Sequence, residues 1–202
     1  MTLDQRQLVL ASSNRGKLEE LKHQLAELAI EPISQADFNL EPVDETGLSF
    51  VENALLKARE ASRVASMPAL GDDSGLVVKA LDGGPGIYSA RFAGADASDA
   101  QNNAKLLTTL QGLPADRRQA HFHCCLVLLR HPDDPDPIIA QGRWHGQILS
   151  EARGSGGFGY DPLFFDSRRG VAAAELSLAE KARISHRGIA LRSLIDQLRS
   201  GR

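Results

Sequence analysis

Two adjacent carboxylates, Asp72 and Asp73, lie between Gly71 and Gly75, with Ser74 beside them and the apolar Leu76, Val77 and Val78 directly after. Carboxylate oxygens suit a hard cation, and Mg²⁺ takes only one or two ligands from a protein, filling its octahedron with water and substrate phosphates. The same five residues also make an ordinary solvated turn, because Asp, Ser and Gly favour turns through local hydrogen bonds and positive φ. The pentapeptide reads as a loop tip between two buried strands, with both roles open. Glu45, in the acidic stretch 41–47, supplies a third carboxylate ahead of a predicted helix, where the helix dipole alone also favours negative charge. Lys17 closes the polar stretch Ser12, Ser13, Asn14, Arg15, Gly16, which follows the apolar Leu8, Val9, Leu10, Ala11. A strand, polar loop and helix in that order either bind an anion at the helix N-terminus or simply cap the helix with Ser13 or Asn14. The stretch is not a P-loop, since Ala11 stands where the first glycine belongs and Leu18 where Ser or Thr is required. Lys57, on the predicted helix beginning at Phe50, faces either solvent or phosphate.

A second concentration of candidates lies in the last third. Gly154, Gly156, Gly157 and Gly159 surround Phe158 and Tyr160 and lead into Asp161 and Pro162. Glycines there permit close backbone approach, and an aromatic ring offers a stacking plate for a base; a mobile hairpin loop with its aromatics in the core fits equally. Ser177 and Glu180 have capping-box spacing and open a turn that carries Lys181. Ser185, His186, Arg187 and Gly188 precede the last helix, where the histidine and arginine either donate to a carbonyl or are solvated. His121 and His123 share one face of a predicted strand, but with no third ligand nearby they are read as strand residues. Cys124 and Cys125 are adjacent in an apolar segment, so they point to opposite faces and are core residues, not a disulfide framework or a zinc site.

These groups need a scaffold. The chain has 202 residues, 42% hydrophobic and 24% charged, which suits one globular domain spanning 1–202. A formal net charge of −3 argues against a nucleic-acid partner, for which basic domains are the rule, yet leaves room for a small phosphate-bearing molecule. No apolar run approaches the roughly 20 residues that span a bilayer, and the start lacks a signal-peptide pattern, so a cytoplasmic protein without a membrane partner is expected. Periodicity predicts a strand over 7–11 and a helix with Leu18, Leu21, Leu25 and Leu28 inward. A strand near 30–38, edged by Pro32, comes next, then a small-residue helix opened by Ser49 and Glu52. A strand over 76–81, a turn over 82–86 and a helix over 98–110 follow, then paired antiparallel strands over 119–130 and 138–149, and a final amphipathic helix.

Six segments, in order along nearly the whole chain, resemble the inosine/xanthosine triphosphate pyrophosphatases: 12–17, 52–58 (Glu-Asn-Ala-Leu-Leu-Lys-Ala), 72–76 (Asp-Asp-Ser-Gly-Leu), 85–91 (Pro-Gly-Ile-Tyr-Ser-Ala-Arg), 156–162 (Gly-Gly-Phe-Gly-Tyr-Asp-Pro) and 185–188 (Ser-His-Arg-Gly). The resemblance implies an α/β fold, an elongated mixed sheet with flanking helices in two lobes and the site in the cleft between them. It also implies a homodimer that uses Mg²⁺ to hydrolyse dITP, ITP or XTP to the monophosphate and pyrophosphate. By the same resemblance, Ser12, Ser13, Asn14, Arg15, Gly16 and Lys17 hold the triphosphate with Lys57, Glu45 and Asp73 ligate the metal, Asp73 is the general base and Ser74 contacts substrate. Phe158, Gly159, Tyr160, Asp161, Lys181, His186 and Arg187 then form the nucleobase pocket. Ser12 stands where the family commonly has threonine, which keeps the hydroxyl. A carboxylate bound to Mg²⁺ is a poor base, so ligand and base compete for Asp73, and Asp72 is available for whichever role is left. Two alternatives remain: a pyrophosphatase of related architecture acting on other modified nucleotides, and a non-catalytic nucleotide-binding protein.

Overall fold

The computed structural model describes residues 7–12, 14–25, 30–41 and 43–200, with only the backbone described at His23 and Gln24. Its strands are β1 (Gln7–Ala11), β2 (Glu31–Ser34), β3 (Ala69–Val78), β4 (Gln119–Leu129), β5 (Ile138–Ile148), β6 (Phe164–Asp166) and β7 (Val171–Ala172). They form one sheet in the order β2-β1-β3-β4-β5-β6-β7. β1 pairs in parallel with β2 and β3, whereas β6 is antiparallel to β5 and β7, so the sheet is mixed. The helices are α1 (Arg15–Leu25), α2 (Phe50–Ala65), α3 (Asp99–Thr109), α4 (Leu178–Ile184) and α5 (His186–Arg199). The mixed α/β class expected from the sequence is the class observed. Among the described residues no helix is long and apolar enough to cross a membrane.

The chain divides into two compact units. The first comprises Met1–Asp73, Cys124–Gly142 and His186–Arg202. Its strand residues alternate between two cores, as a pleated strand requires. Leu10, Leu70, Cys124 and Leu126 meet Leu21 and Leu25 of α1 and Leu191 of α5 on one face. Cys125, Val127 and Leu129 meet Ala54 and Ala58 of α2 on the other, continued by Val9, Ala11 and Ala69 against Ala61. The alanine stripe lets α2 lie close to the sheet, and Gly71 takes this furthest. A Cβ built there would sit 2.1 Å from the Ala54 carbonyl oxygen and 3.1 Å from the Ala58 methyl. Ser49 caps α2, accepting from the Glu52 N–H at 3.4 Å, while the Glu52 carboxylate accepts from the Leu48 N–H at 2.9 Å.

The second unit comprises Ser74–His123 and Arg143–Ser185. Leu106 of α3 and Leu110, its C-cap, pack with Leu76, Val78, Phe122, Trp144 and Phe164. Ser98 and Gln101 close a capping box at the start of α3. The Arg118 side chain is buried and donates to the carbonyls of Leu110, Leu113 and Leu149, tying the end of α3 to its surroundings.

Three expectations about elements are corrected. Gly71, Asp72, Asp73, Ser74 and Gly75 do not form a loop tip: they run through the middle of β3, where Gly71 pairs with Ala11. Glycine serves close packing of α2 here and not a turn. The strand expected over 76–81 ends at Val78, and Lys79–Leu81 form a 3₁₀ turn. The stretch 30–38 is split into β2 and a 3₁₀ turn over Gln35–Phe38, with Pro32 on the edge strand, where a missing N–H is tolerated. Leu28 lies outside the described residues. The close approach at Gly71 sets an expectation for stability. Gly71→Ala forces α2 and β3 apart and costs about 1–3 kcal/mol, the usual range for overpacking, read from the midpoint of urea denaturation.

Candidate active site

Asp72 and Asp73 are consecutive in a strand, so they project to opposite faces of the sheet. Asp72 is 1% exposed and lies on the side of α1 and α5. Its Oδ1 accepts from Lys17 Nζ at 2.9 Å and its Oδ2 from Arg187 Nε at 2.7 Å. The Cys124 thiol lies 3.8 Å from Oδ2. Arg187, at the start of α5, is also 1% exposed, and its second nitrogen donates to Glu20 of α1. Two anions, Glu20 and Asp72, thus sit among two cations, Lys17 and Arg187. Burial alone lowers the Arg187 pKa, but Asp72 and then Glu20 outweigh it and hold the guanidinium above its ordinary value. Arg187 was expected in a nucleobase pocket; here its guanidinium is sealed in the interior between two carboxylates. His186, the neighbouring candidate, is buried as well.

Asp73 lies on the α2 side. Lys57 Nζ donates to Asp73 Oδ1 at 2.8 Å and to Glu45 Oε1 at 2.9 Å, so two carboxylates converge on one ammonium. The fully buried Asn53 supports both sides of this trio. Its Nδ2 lies 3.5 Å from Asp73 Oδ2, and its Oδ1 accepts from the Gly47 N–H at 2.8 Å, which fixes the end of the loop carrying Glu45. Burial raises the Asp73 pKa, with Lys57 and Lys17 offsetting part of the rise. Burial presses the Lys57 pKa down, but Asp73 and Glu45 more than reverse it, so the lysine stays charged.

The start of α1 completes this set. Asn14 is its cap: Oδ1 accepts from the Lys17 N–H at 3.1 Å, and the Asn14 N–H donates to Ser12 Oγ at 3.2 Å. Ser13, the other capping candidate, lies outside the described residues. Arg15 is exposed, while Gly16 and Lys17 are half-buried.

In the second unit the glycine-rich loop is built around Asp161. Lys181 Nζ donates to Asp161 Oδ2 at 2.8 Å, with both side chains 4% exposed. The Phe158 N–H donates to the same oxygen at 2.9 Å, and Lys181 Nζ lies 5.0 Å from the centre of the Phe158 ring. Gly157 has φ +75°, and a Cβ there would fall 2.1 Å from Asp161 Oδ2, so both its conformation and its space demand glycine. Tyr160 is buried, and its hydroxyl donates to the Ser89 carbonyl at 2.8 Å. Burial raises its pKa, and it serves as a fixed donor. Ser74 is half-buried in β3.

The structure therefore brings Ser12, Asn14, Arg15, Gly16, Lys17, Glu45, Lys57, Asp73, His186 and Arg187 into the first unit. Ser74, Phe158, Gly159, Tyr160, Asp161 and Lys181 fall in the second. The sequence reading assigned no role to Asn53 or Glu20. A polar residue beside the apolar stripe of α2 was the available signal for Asn53, whereas nothing separated Glu20 from its neighbour Glu19. Oxygen donors of the kind Mg²⁺ prefers are present where Glu45 and Asp73 converge, so the residues fit that ion. Among the described residues no group of three or more His, Cys, Asp or Glu side chains is placed to hold a metal.

The model of the Ham1 family matches residues 8–197. The chain belongs to the Ham1 family. The dITP/XTP pyrophosphatase of Xanthomonas oryzae pv. oryzae is 56% identical over 191 residues, 95% of this chain and 96% of that protein. The dITP/XTP pyrophosphatase of Escherichia coli strain K12 is 52% identical over 194 residues, 96% and 98% of the two chains. Among solved structures, a HAM1 protein from Coxiella burnetii superposes with a TM-score of 0.88 at 45% identity, covering 96% of this chain and 98% of that one. A nucleoside-triphosphatase / dITP/XTP pyrophosphatase from Mycobacterium abscessus gives 0.75 at 41% identity, covering 95% and 99%. This Ham1 chain carries one charge arrangement whose value is measurable. Arg187→Met leaves Asp72 and Glu20 buried without their shared cation and lowers the unfolding free energy by about 3–5 kcal/mol. Calorimetric or denaturant unfolding checks this, and an unfolding curve close to that of the unaltered chain contradicts it.

Proposed function

We propose that this chain hydrolyses non-canonical purine nucleoside triphosphates, dITP, ITP, XTP or dXTP, to the monophosphate and pyrophosphate, and so clears deaminated purines from the nucleotide pool. The full-length identity to dITP/XTP pyrophosphatases supports the substrate class. The observation that carries the chemistry is the trio in which Glu45 and Asp73 converge on Lys57, with the charge of Lys17 from α1 also felt at Asp73.

Cleavage between the α and β phosphates needs an oriented water, charge neutralisation on the leaving pyrophosphate and cations along the triphosphate. Lys17 and Lys57 provide the cations, and the first N–H groups of α1 add a positive helix end. Asp73 takes the proton from the attacking water. Burial lifts its pKa and Lys57 offsets part of the rise, which favours the base role of the carboxylate, whereas Mg²⁺ on the same group would weaken it as a base. Asn53 fixes the Asp73 carboxylate from behind. Asp72, committed to Lys17 and Arg187, has the separate task of holding those two cations. Mg²⁺ belongs to this reading, with Glu45 and Asp73 as its protein ligands, and when bound it neutralises charge developing on the phosphates.

For the base, the Phe158 ring provides a stacking plate and Lys181 a donor held by Asp161, which suits the 6-oxo group of hypoxanthine or xanthine. An adenine 6-amino group leaves such donors unmet, and a site built on hydrogen bonds can reject such an analogue by about 10⁴-fold or more. Homodimerisation and a cytoplasmic setting complete the reading and rest on the sequence alone.

Product analysis tests the proposal. With dITP and Mg²⁺, the expected products are dIMP and pyrophosphate, with little turnover of dATP or dGTP. Release of single phosphates, or binding of dITP that leaves it intact, contradicts the assignment.

A further inference from the structure

Gly159 sits between Phe158 and Tyr160 in the glycine-rich loop, with φ +59° in the left-handed region. A Cβ at this position would meet nothing within 4 Å, so packing does not determine its conformation. Both of its peptide groups are instead gripped from one face of α3. The Gly159 N–H donates to Asp99 Oδ2 at 2.6 Å, and the Gly159 carbonyl accepts from Asn103 Nδ2 at 2.8 Å. Asp99 and Asn103 are four residues apart in a helix, hence stacked on the same side.

Neither side chain is explained by stability of α3 itself. Asp99 at the first helical position complements the dipole, an effect of only a few tenths of a kcal/mol at an exposed site, and a side chain turned to solvent achieves it. Asn103 lies inside α3, where asparagine is a weaker helix former than most residues, and its Nδ2 is spent on the Gly159 carbonyl. The neighbouring Asn102 ties a second segment to the same helix, donating to the Ala90 carbonyl at 3.1 Å and accepting from the Ala93 N–H at 2.7 Å. α3 is therefore an anchor from which loop backbones are held.

We propose that Asp99 and Asn103 are positioning residues for base recognition, clamping the Gly159 peptide so that Phe158 and the Asp161–Lys181 pair present a fixed face to the purine. This rests on the functional reading above, and it adds α3 as the element that sets base selectivity. The clamp acts on binding of the base and not on the Asp73 chemistry, so its loss appears mainly in KM and in discrimination.

The test has two independent arms. Hydrogen exchange in the full chain without nucleotide follows the Gly159 amide directly: it is protected in the unaltered protein, and Asp99→Ala removes that protection while neighbouring core amides keep theirs. Steady-state kinetics then compares dITP with dGTP. Asp99→Ala raises KM for dITP about tenfold or more, as loss of a hydrogen bond to a charged group predicts, and narrows the dITP preference while kcat changes little. Asp99→Asn, which retains an acceptor, recovers most of both. Asn103→Leu gives unchanged or higher thermal stability together with a weaker dITP preference, a combination that a purely structural role does not produce. Unprotected exchange at Gly159 in the unaltered protein, or unchanged KM and preference in Asp99→Ala, overturns the proposal. So does loss of kcat and thermal stability together without change in preference. If the unaltered chain turns over no dITP, the substrate reading fails, and the exchange arm still decides the clamp.

Discussion

The alternation of side chains along β3 is the constraint on which the candidate site depends. A strand cannot direct neighbouring carboxylates to one place, so Asp72 and Asp73 enter different environments. On one face Asp72 meets Lys17 and Arg187, and Arg187 in turn meets Glu20. On the other, Asp73 and Glu45 share Lys57. A buried ion network of the first kind is maintained by mutual compensation, and removing one member strands the others in a low dielectric. The second is a pair of acceptors around one cation, an arrangement that suits binding of a further cation and proton transfer.

Packing makes this division possible. Asp73 lies within reach of Lys57 because α2 approaches β3 over Gly71 and an alanine stripe, bringing Asn53 and Lys57 onto the strand. The same closeness excludes water and raises the Asp73 pKa. Core packing and site chemistry are thus one feature of α2: substitutions that thicken its inner face disturb the carboxylate without touching it. In the second unit a comparable dependence holds, since the buried Asp161 unites Lys181, the Phe158 N–H and the turn at Gly157.

Much of this was legible before any coordinates. The apolar run of β1, the caps at Ser49 and Ser177, and the period of α1 and α5 follow directly from local rules, and the six family segments marked the candidate residues. What local rules misjudged was Gly71 to Gly75. Glycine and aspartate signal a turn when only neighbours in sequence count, yet here the glycine answers to a helix 13 to 17 residues earlier in the chain and the aspartates to partners on α1, α2 and α5. Burial of polar residues against distant partners leaves no periodic trace. The partners of Glu20, Asp99 and Asn103, and the sealed position of Arg187, were invisible for the same reason. The competition between ligand and base at Asp73 also looked different in sequence, where Asp72 stood ready as a substitute; the strand geometry turns it away.

In the proposed reaction, β3 separates a charge-holding aspartate, Asp72, from a reacting one, Asp73. Single-turnover rates at saturating dITP and Mg²⁺, measured beside thermal unfolding for Asp72→Asn and Asp73→Asn, test it most directly. The expected result is a split: Asp73→Asn slows the chemical step by about 10³-fold or more, within the usual general-base contribution of 10²–10⁴, with the fold at least as stable as before. Asp72→Asn unfolds at distinctly lower temperature while its chemical step, measured below that temperature, stays within about tenfold, the equivalent of 1.4 kcal/mol. Equal losses of rate in the two variants, or a slower chemical step in Asp72→Asn than in Asp73→Asn, would contradict the account.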